Sequence, residues 1–379
     1  MEQKKNNQSA VNGAAAASSA QSTNNYMQYS KYRTRQAHGF SAEDANAMAD
    51  RLYGKRVSQV GTDNSLNGPD RISNGVRIQT KYCNSANNSV NAAFDSQTGN
   101  YRYTGQKLEV PADQYQEAVT LMTEKIRGGK VPGVTDPSKA ADLLLKGNVT
   151  YDQAVKIAKA GTWDSVKFDV KTQSVSCGLS CGLSFASTYY NARKQGMDNV
   201  QALKLATKQA AKTGGITLFV GVGTQQLLRT TVGRSFAASA THVARHAVDT
   251  ACKTQLGQRV VERTASALVG QRLAGEAAKG VITKGLRTNV VTGAVMLGVQ
   301  TIPDVVKVCR GKMSGGQFCE NLVSNTAGVA GGYGGATVGA AIGTAICPGV
   351  GTVIGGFIGG LLGGAGASSA TRGFCSLFH

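Results

Sequence analysis

A long run of residues without one charged side chain, near the end of the chain, constrains the fold more than any other feature. No Asp, Glu, Lys or Arg occurs between residues 321 and 371. Glycine recurs there at every fourth position in two series: Gly331, Gly335, Gly339 and Gly343, then Gly351, Gly355, Gly359 and Gly363. Residues four apart share one stripe of a helix, and a glycine stripe lets a second backbone approach closely. Because the segment is long enough for two spans of about 20 residues and a turn, it predicts a membrane hairpin.

The glycine pattern leaves other interpretations open. A soluble helical pair rich in glycine and alanine would show it, and so would a flexible tail. The stripes could also pair helices from two chains, which would make the protein a homo-oligomer. Packing through small residues is most effective where lipid rather than water surrounds the helices, and this favours the membrane hairpin.

The chain is strongly basic, with 41 Lys and Arg residues against 22 Asp and Glu residues and a formal net charge of +19. Most of this excess lies beyond residue 173, in the more apolar half. Basic residues that flank apolar segments hold a chain on the cytoplasmic side and attract anionic lipid. A basic surface attracts nucleic acid phosphates equally well. Inner membrane lipids and a nucleic acid are therefore the expected partners.

Composition divides the chain into segments. The start is polar and of low complexity, which predicts disorder. Short strand and helix patterns alternate after it, whereas the remainder is helical and rich in Gly and Ala. The expected fold class is a mixed α/β domain (α+β or α/β) followed by an all-α, membrane-associated region. The predicted boundaries are 1–30 for the disordered tail, 31–173 for the α/β domain, 174–286 for a basic helical region, 287–371 for transmembrane helices with the glycine hairpin, and 372–379 for a C-terminal tail.

Capping and turn residues locate the elements of the α/β domain. Ser41 is expected to cap a helix over residues 42–53, and Asn74-Gly75 to turn a hairpin. Thr150 and Gln153 have the spacing of a capping box. Alternation and helical periodicity predict strands at 57–60, 101–103, 108–110 and 166–170, and helices at 113–127, from 136 and at 154–160.

The helical part holds three further uncharged or apolar segments, at residues 174–190, 213–228 and 289–302. The last is expected to break at Pro303-Asp304, because proline removes a helix hydrogen bond. Each segment is a candidate membrane span, and a helical bundle is the alternative.

Candidate catalytic residues cluster in the first part of the domain. Pro69-Asp70 is followed by Gln79-x-Lys81, and the alternation around Ile78 predicts a strand. Side chains two apart on a strand point to one face, so Gln79 and Lys81 are expected to lie together. The pattern resembles the PD-(D/E)xK nucleases, in the Mrr-like variant that has Gln in place of the second acid. In that family the Asp lies at the start of one strand and the (E/D/Q)xK on the next. A Glu lies on the preceding helix, and Glu43 occupies the matching position in this chain.

The resemblance covers roughly residues 38–95 and implies a restriction-endonuclease-like fold with metal-dependent phosphodiester hydrolysis. It implies that Asp70, Glu43 and the carbonyl of Gln79 hold Mg²⁺ or Mn²⁺. Lys81 would orient the attacking water or stabilise developing negative charge. A divalent cation neutralises the scissile phosphate and activates water, and Mg²⁺ needs only one or two carboxylates. The amide oxygen of Gln79 is a weaker ligand than a carboxylate.

Polar and basic side chains near this motif are candidate nucleic acid contacts. Arg71 and Arg77 could follow a phosphate backbone, and Asn84 and Ser85 begin a polar loop (residues 84–90) directly after the motif. DNA is the expected substrate, and RNA remains open. The structural alternative makes Asp70 a turn residue after Gly-Pro and Gln79 and Lys81 an exposed strand face. For Glu43, an acid in a first helical turn is favoured by the helix dipole alone.

Three functions follow from these features. The first is a membrane-anchored, metal-dependent endonuclease at the bacterial inner membrane, with its N-terminal domain in the cytoplasm and foreign DNA as substrate, in anti-phage defence. The second is a membrane-inserting glycine-zipper effector or toxin that carries a catalytically silent, nuclease-like sensing domain. The third is a structural membrane protein whose soluble domain has no catalytic role.

Overall fold

The computed structural model describes residues 37–59, 67–269 and 272–318, together with separate positions between 321 and 363. The chain divides into two compact units between Phe168 and Asp169. The first unit mixes helices and strands, and the second is helical in its described parts. A mixed α/β N-terminal part followed by a mostly helical C-terminal part confirms the coarse fold class expected from the sequence. The predicted disordered tail at 1–30 and the predicted C-terminal tail at 372–379 lie outside the described residues.

The first unit is built around one five-stranded sheet in the order β1-β2-β3-β4-β5. The first three strands are antiparallel, and β3, β4 and β5 are parallel. The elements are α1 Ala37–Leu52, β1 Val57–Gln59, β2 Arg71–Ser73, β3 Val76–Thr80, α2 Ala86–Asn91, β4 Lys107–Val110, α3 Tyr115–Arg127, a 3-10 turn Pro137–Lys139, α4 Ala140–Leu143, β5 Leu144–Lys146 and α5 Tyr151–Ile157.

The β2–β3 hairpin sets the register on which the candidate site depends. Asn74 and Gly75 have φ angles of 46° and 83°, the left-handed conformations that a type I′ turn requires. Arg71 therefore pairs with Ile78. The N–H of Asp70 also donates to the carbonyl of Ile78, at 2.9 Å, so the pairing continues one residue beyond β2. Asp70 consequently lies opposite Gln79.

Helices cover both faces of the sheet. On one face α1 and α5 contribute Ala42 and Ala154, which pack with Tyr82. On the other face α3 and the aromatic residues before β4 form the larger core, in which Leu108 and Met122 are fully buried. Successive strand residues alternate between these two layers.

Several predicted elements are confirmed. The helix expected at 113–127 is α3, and Gly128 follows its last residue. Thr150 and Gln153 form both hydrogen bonds of a capping box at the start of α5. The strands expected near 57–60 and 108–110 are β1 and β4.

Other expectations are wrong. Residues 166–170 form part of a long helix that begins at Trp163 instead of a strand, and within it Phe168 and Asp169 are buried while Val170 is exposed. Tyr101 makes only an isolated bridge to Phe94, and the two rings meet edge to face. Ser41 lies inside α1 instead of capping it, and its hydroxyl donates to the carbonyl of Ala154. The polar loop expected at 84–90 is largely α2.

The second unit is built from long helices. They are α6 Trp163–Lys194, which begins in the first unit, α7 Asn199–Arg229, α8 Thr231–Ala251, α9 Gln255–Val269 and α10 Gly275–Cys309. The break expected at Pro303 is wrong, since α10 passes through it. Among the described residues, α10 is the one helix long and apolar enough to cross a membrane.

The described glycines of the C-terminal segment face each other at backbone distance. A Cβ added at Gly335 would collide with the carbonyl of Gly359, and one at Gly363 would collide with that of Gly331. A Cβ at Gly359 would lie 3.0 Å from the Cα of Gly339. The described members of the two glycine series therefore approach one another within one chain.

The second unit has an unusual distribution of polarity. The buried stripe of α6 is polar throughout its middle, whereas large apolar side chains such as Val175, Tyr190 and Phe219 are exposed. The fully or nearly fully buried polar residues of α6 and α7 include Gln173, Ser176, Ser180, Ser184, Thr213, Thr217, Thr224 and Gln225. Small and hydroxyl-bearing interfaces with an apolar exterior are typical of helices that pack in lipid.

Candidate functional site

Asp70 and Gln79 meet at one end of the β2–β3 hairpin. The Nε2 of Gln79 donates to Oδ2 of Asp70 at 2.8 Å, and the backbone N–H of Thr80 donates to the same oxygen at 2.7 Å. The hairpin register dictates this contact, because it places the two residues on opposite strands and on one face. The structure therefore brings together two of the four residues that the sequence proposes for catalysis.

Gln79 also holds a buried acceptor. Its side chain is 5% exposed, and its Oε1 has no hydrogen-bond partner among the described residues. A buried carbonyl oxygen without a partner is costly, so it favours a hydrogen-bond donor or a cation beside it. The amide can rotate to present either end, because the positions of its O and N are assigned from the hydrogen-bond network.

Asp70 and the Gln79 amide form a donor set that fits a hard divalent cation. The described residues hold no cluster of three or more His, Cys, Asp or Glu side chains that could enclose a metal ion. Mg²⁺ is usually held through one or two carboxylates together with waters and substrate phosphates, and in such a set Asp70 supplies the carboxylate.

Lys81 directly follows β3, on the face that carries Gln79. Its backbone N–H donates to the carbonyl of Glu109 at 2.9 Å, which continues the pairing of β3 with β4. Its Nζ lies 5.4 Å from the centroid of the Tyr103 ring, within cation–π range. The aromatic core before β4 thus holds this ammonium over the Tyr103 ring.

Glu43 is half-buried on α1, the helix that covers the opposite face of the sheet. From that face, Asn46 contacts Glu109 and Asp50 contacts Arg71. Gln79 and Lys81 face the other layer, because strand side chains alternate. The role of Glu43 as a metal ligand stays a prediction.

Arg71 does not fit the surface role predicted for it. Its side chain is 2% exposed and lies in the core between α1 and the sheet, where it pairs with Asp50 and Glu109. It therefore cannot follow a phosphate backbone in this conformation. Composition alone predicts the opposite, since an arginine on a short strand is more often exposed.

The remaining predicted nucleic acid contacts stay at or near the surface. Arg77 is exposed on β3, where it lies opposite Ile72 of β2. Asn84 is exposed and accepts a hydrogen bond from the side chain of Asn88. Ser85 caps α2 by accepting from the N–H of Asn88 at 3.2 Å, which is a local structural role.

A buried network that sequence analysis missed lies behind the site. Arg71 donates through both terminal nitrogens to the carboxylate of Glu109, at 2.6 Å each, and its Nη2 lies 3.2 Å from Asp50. Thr80 and Asn46 donate to Oε2 of the same glutamate, at 3.0 and 2.9 Å. The available signal was positional: Arg71, Thr80 and Glu109 occupy strand positions that face α1.

The pKa of Asp50 lies below its ordinary value. Burial by itself would raise this pKa, but the hydrogen bond from Lys55, at 2.7 Å, and the charge of Arg71 outweigh that effect. Burial and the nearby carboxylate of Glu109 raise the pKa of Tyr82, whose hydroxyl donates to the carbonyl of Val149. The tyrosine therefore stays a neutral hydrogen-bonding group in the core.

Acid should destabilise the first unit through Asp50. A carboxyl with a depressed folded-state pKa contributes stability above its unfolded pKa of about 3.9, and loses it as the pH falls through the folded value. We expect amide exchange in β2 and β3 to accelerate as the pH falls below about 4, after correction for intrinsic exchange. Asp50→Asn should remove much of this acid dependence, whereas the exposed Asp142→Asn should leave it unchanged. If amide exchange in the wild type, Asp50→Asn and Asp142→Asn showed equal acid dependence, Asp50 would not be its cause.

Comparisons with known proteins match both ends of the chain. Residues 20–127 match the family profile described as the YeeR C-terminal domain, and residues 319–370 match a C13G5.2-like glycine zipper domain. The first match contains Asp70, Gln79, Lys81 and Glu109. Neither description mentions a nuclease.

One curated relative is the inner membrane protein YeeR of Escherichia coli (strain K12), which is 52% identical over 100 residues. The match covers 25% of this chain and 20% of the relative, so the chain corresponds to about a fifth of that protein's length. No solved structure matches the chain. The similarity therefore joins about a quarter of this chain to a part of a protein named for the inner membrane.

Proposed function

We propose that this protein is a membrane-anchored, metal-dependent endonuclease that hydrolyses phosphodiester bonds of DNA. The observation that carries the proposal is the contact between Asp70 and Gln79, with Lys81 on the same face of the sheet. Asp70 immediately precedes β2, and Gln79 and Lys81 lie on and after β3. This order supports the restriction-endonuclease-like arrangement that the PD-(D/E)xK resemblance implies.

The chemistry is divided among three side chains. Asp70 and the Gln79 carbonyl would hold a Mg²⁺ or Mn²⁺ ion, whereas Glu43, on the helix that covers the opposite face of the sheet, is not part of this set. The ion, when bound, neutralises the scissile phosphate and lowers the pKa of an attacking water. Lys81 places its ammonium beside the phosphate and stabilises the negative charge that develops there. With one carboxylate and one neutral amide, the site binds the ion more weakly than a site with two acids would.

Several observations support a membrane anchor in the second unit. The paired glycines at Gly335 and Gly359, the apolar helix α10 and the exposed apolar side chains of α6 and α7 favour a lipid environment. The relative named as an inner membrane protein supports the same location for this chain. The many basic residues beyond residue 173 favour a cytoplasmic side for the segments that carry them. The first unit would then lie in the cytoplasm.

A nuclease at the inner membrane is positioned to act on DNA as it enters the cell. Defence against phage or other foreign DNA is therefore the biological role that we propose. The association of a nuclease site with a membrane anchor supports this role.

Cleavage assays with the full chain test the enzymatic proposal. We expect plasmid DNA to be cut in the presence of Mg²⁺ or Mn²⁺ and to remain intact with EDTA. Lys81→Met should lower the rate by about a hundredfold or more, because it removes the cation that stabilises the transition state. Lys139→Met, at an exposed lysine of the same unit, should cleave like the wild type. Cleavage that persists in EDTA, or that Lys81→Met carries out at the wild-type rate, would contradict the proposal. If the chain cut RNA and not DNA, RNA would be the substrate.

The second candidate is a membrane-inserting effector whose first unit binds or senses without catalysis. The backbone-to-backbone pairing of the glycine series favours it, because such a hairpin can insert and associate in lipid without any enzyme. Leakage of dye from vesicles with the full chain, unchanged by Lys81→Met and absent in a glycine variant, would support the effector over the nuclease.

A further inference from the structure

The carboxylate of Glu109 is the centre of the buried network. It is fully buried and accepts four hydrogen bonds, from Arg71, Thr80 and Asn46. Arg71 lies on β2 and Glu109 on β4, so their contact reaches across β3 and ties three strands together. This span corresponds to about 10 Å, or two strand spacings.

Each strand residue that Glu109 holds is the sequence neighbour of a candidate site residue. Arg71 directly follows Asp70, and Thr80 separates Gln79 from Lys81. Because side chains alternate along a strand, fixing Arg71 and Thr80 on one face also fixes the site residues on the other. The N–H of Thr80 itself donates to Asp70, so one residue belongs to both arrangements.

A buried ionic network is an expensive way to fill a core. Replacing such a network by apolar residues of similar volume is often neutral or stabilising. Its specific benefit is geometric, since the two-pronged contact of Arg71 with the carboxylate of Glu109 is satisfied in one strand register only. A slip of β2 by one residue would turn Asp70 away from Gln79.

We propose that Glu109 is a positioning residue for the candidate site: by holding Arg71 and Thr80 together, its carboxylate sets the contact between Asp70 and Gln79. Glu109 does not touch the reacting atoms, and it acts through the neighbours of the residues that do. This inference rests on the proposed function for its catalytic consequence, but its structural consequence can be measured without any cleavage.

Matched threonine variants of the full chain test the proposal. Thr80→Val keeps the shape of the side chain and loses its hydrogen bond to Glu109, whereas Thr80→Ser keeps the hydroxyl. Hydrogen–deuterium exchange of the amide at position 80 reports its bond to Asp70. We expect that exchange to be about tenfold faster in Thr80→Val, the effect of losing one typical hydrogen bond, and near wild type in Thr80→Ser. Glu109→Gln should resemble Thr80→Val, and Thr120→Val, on exposed helix surface, should change nothing.

The outcomes separate this inference from the proposed function. Faster exchange confined to residues 70 and 79–81, with loss of metal-dependent cleavage, supports both. The same exchange pattern in a chain that never cleaves supports the positioning role and contradicts the nuclease. Unchanged exchange at residue 80 in Thr80→Val, or equally faster exchange throughout β4 and β5, would overturn the positioning role even if the wild-type chain cleaves DNA.

Discussion

Arg71→Met is expected to destabilise the first unit by about 3–5 kcal/mol, the usual cost of removing one partner from a buried ion pair. The variant leaves the carboxylate of Glu109, which is fully buried, without its two shortest hydrogen bonds. A domain of this size has a total stability of about 5–15 kcal/mol, so much of it would be lost. Exchange of the β4 amides in the full chain measures the effect.

Two comparisons isolate the cause. Arg77→Met removes an exposed arginine from the neighbouring strand and should change stability by less than about 0.5 kcal/mol. Adding Glu109→Met to Arg71→Met should recover part of the loss, because the second substitution removes the unpaired buried charge. An Arg71→Met protein as stable as the wild type would contradict this network. So would a double variant whose loss of unfolding free energy exceeds the summed losses of the two single variants.

Gly335→Leu should separate the two glycine-rich segments. The first added carbon would already collide with the carbonyl of Gly359, and that carbonyl is backbone that cannot rotate away. Overpacking of a tight interface costs about 1–3 kcal/mol or more, and here the two backbones themselves must part. In vesicles, we expect the wild-type chain to retain a protease-resistant fragment spanning residues 321–371, and Gly335→Leu to lose it.

Gly298→Leu is the matched control for that experiment. Gly298 lies on α10, and a Cβ there would meet no neighbouring atom. Its fragment pattern should equal that of the wild type. Equal protection of the C-terminal fragment in Gly335→Leu would show that the glycines do not pair in the membrane.

Short sequence patterns correctly predicted the turns and helix ends that depend on a few adjacent residues. The Asn74-Gly75 turn, the capping box of α5 and the glycine end of α3 each depend on a few adjacent residues, and all are present. The hairpin register followed from the turn, and with it the meeting of Asp70 and Gln79. The coarse division into an α/β part and a helical part followed from composition.

Elements that depend on distant partners were not predictable in the same way. Residues 166–170 alternate like a strand, but they belong to a helix of 32 residues whose length no local pattern indicated. The very short β5 exists because it pairs with β4. Arg71 looked like a surface arginine, and only the carboxylates of Asp50 and Glu109, 21 and 38 residues away, make its burial possible.

The most direct test of the central claim is the single-turnover rate of Mg²⁺-dependent DNA cleavage by the full chain and by Asp70→Asn. Asparagine keeps the size of the side chain and removes the one carboxylate of the Asp70–Gln79 pair. Asp95→Asn, which changes an exposed turn carboxylate in the same unit, is the control. We expect the wild type and Asp95→Asn to cleave at equal rates, and Asp70→Asn to be slower by about a hundredfold or more. Absence of cleavage by the folded wild-type chain, or equal cleavage by Asp70→Asn, would contradict the claim that this pair is a nuclease site.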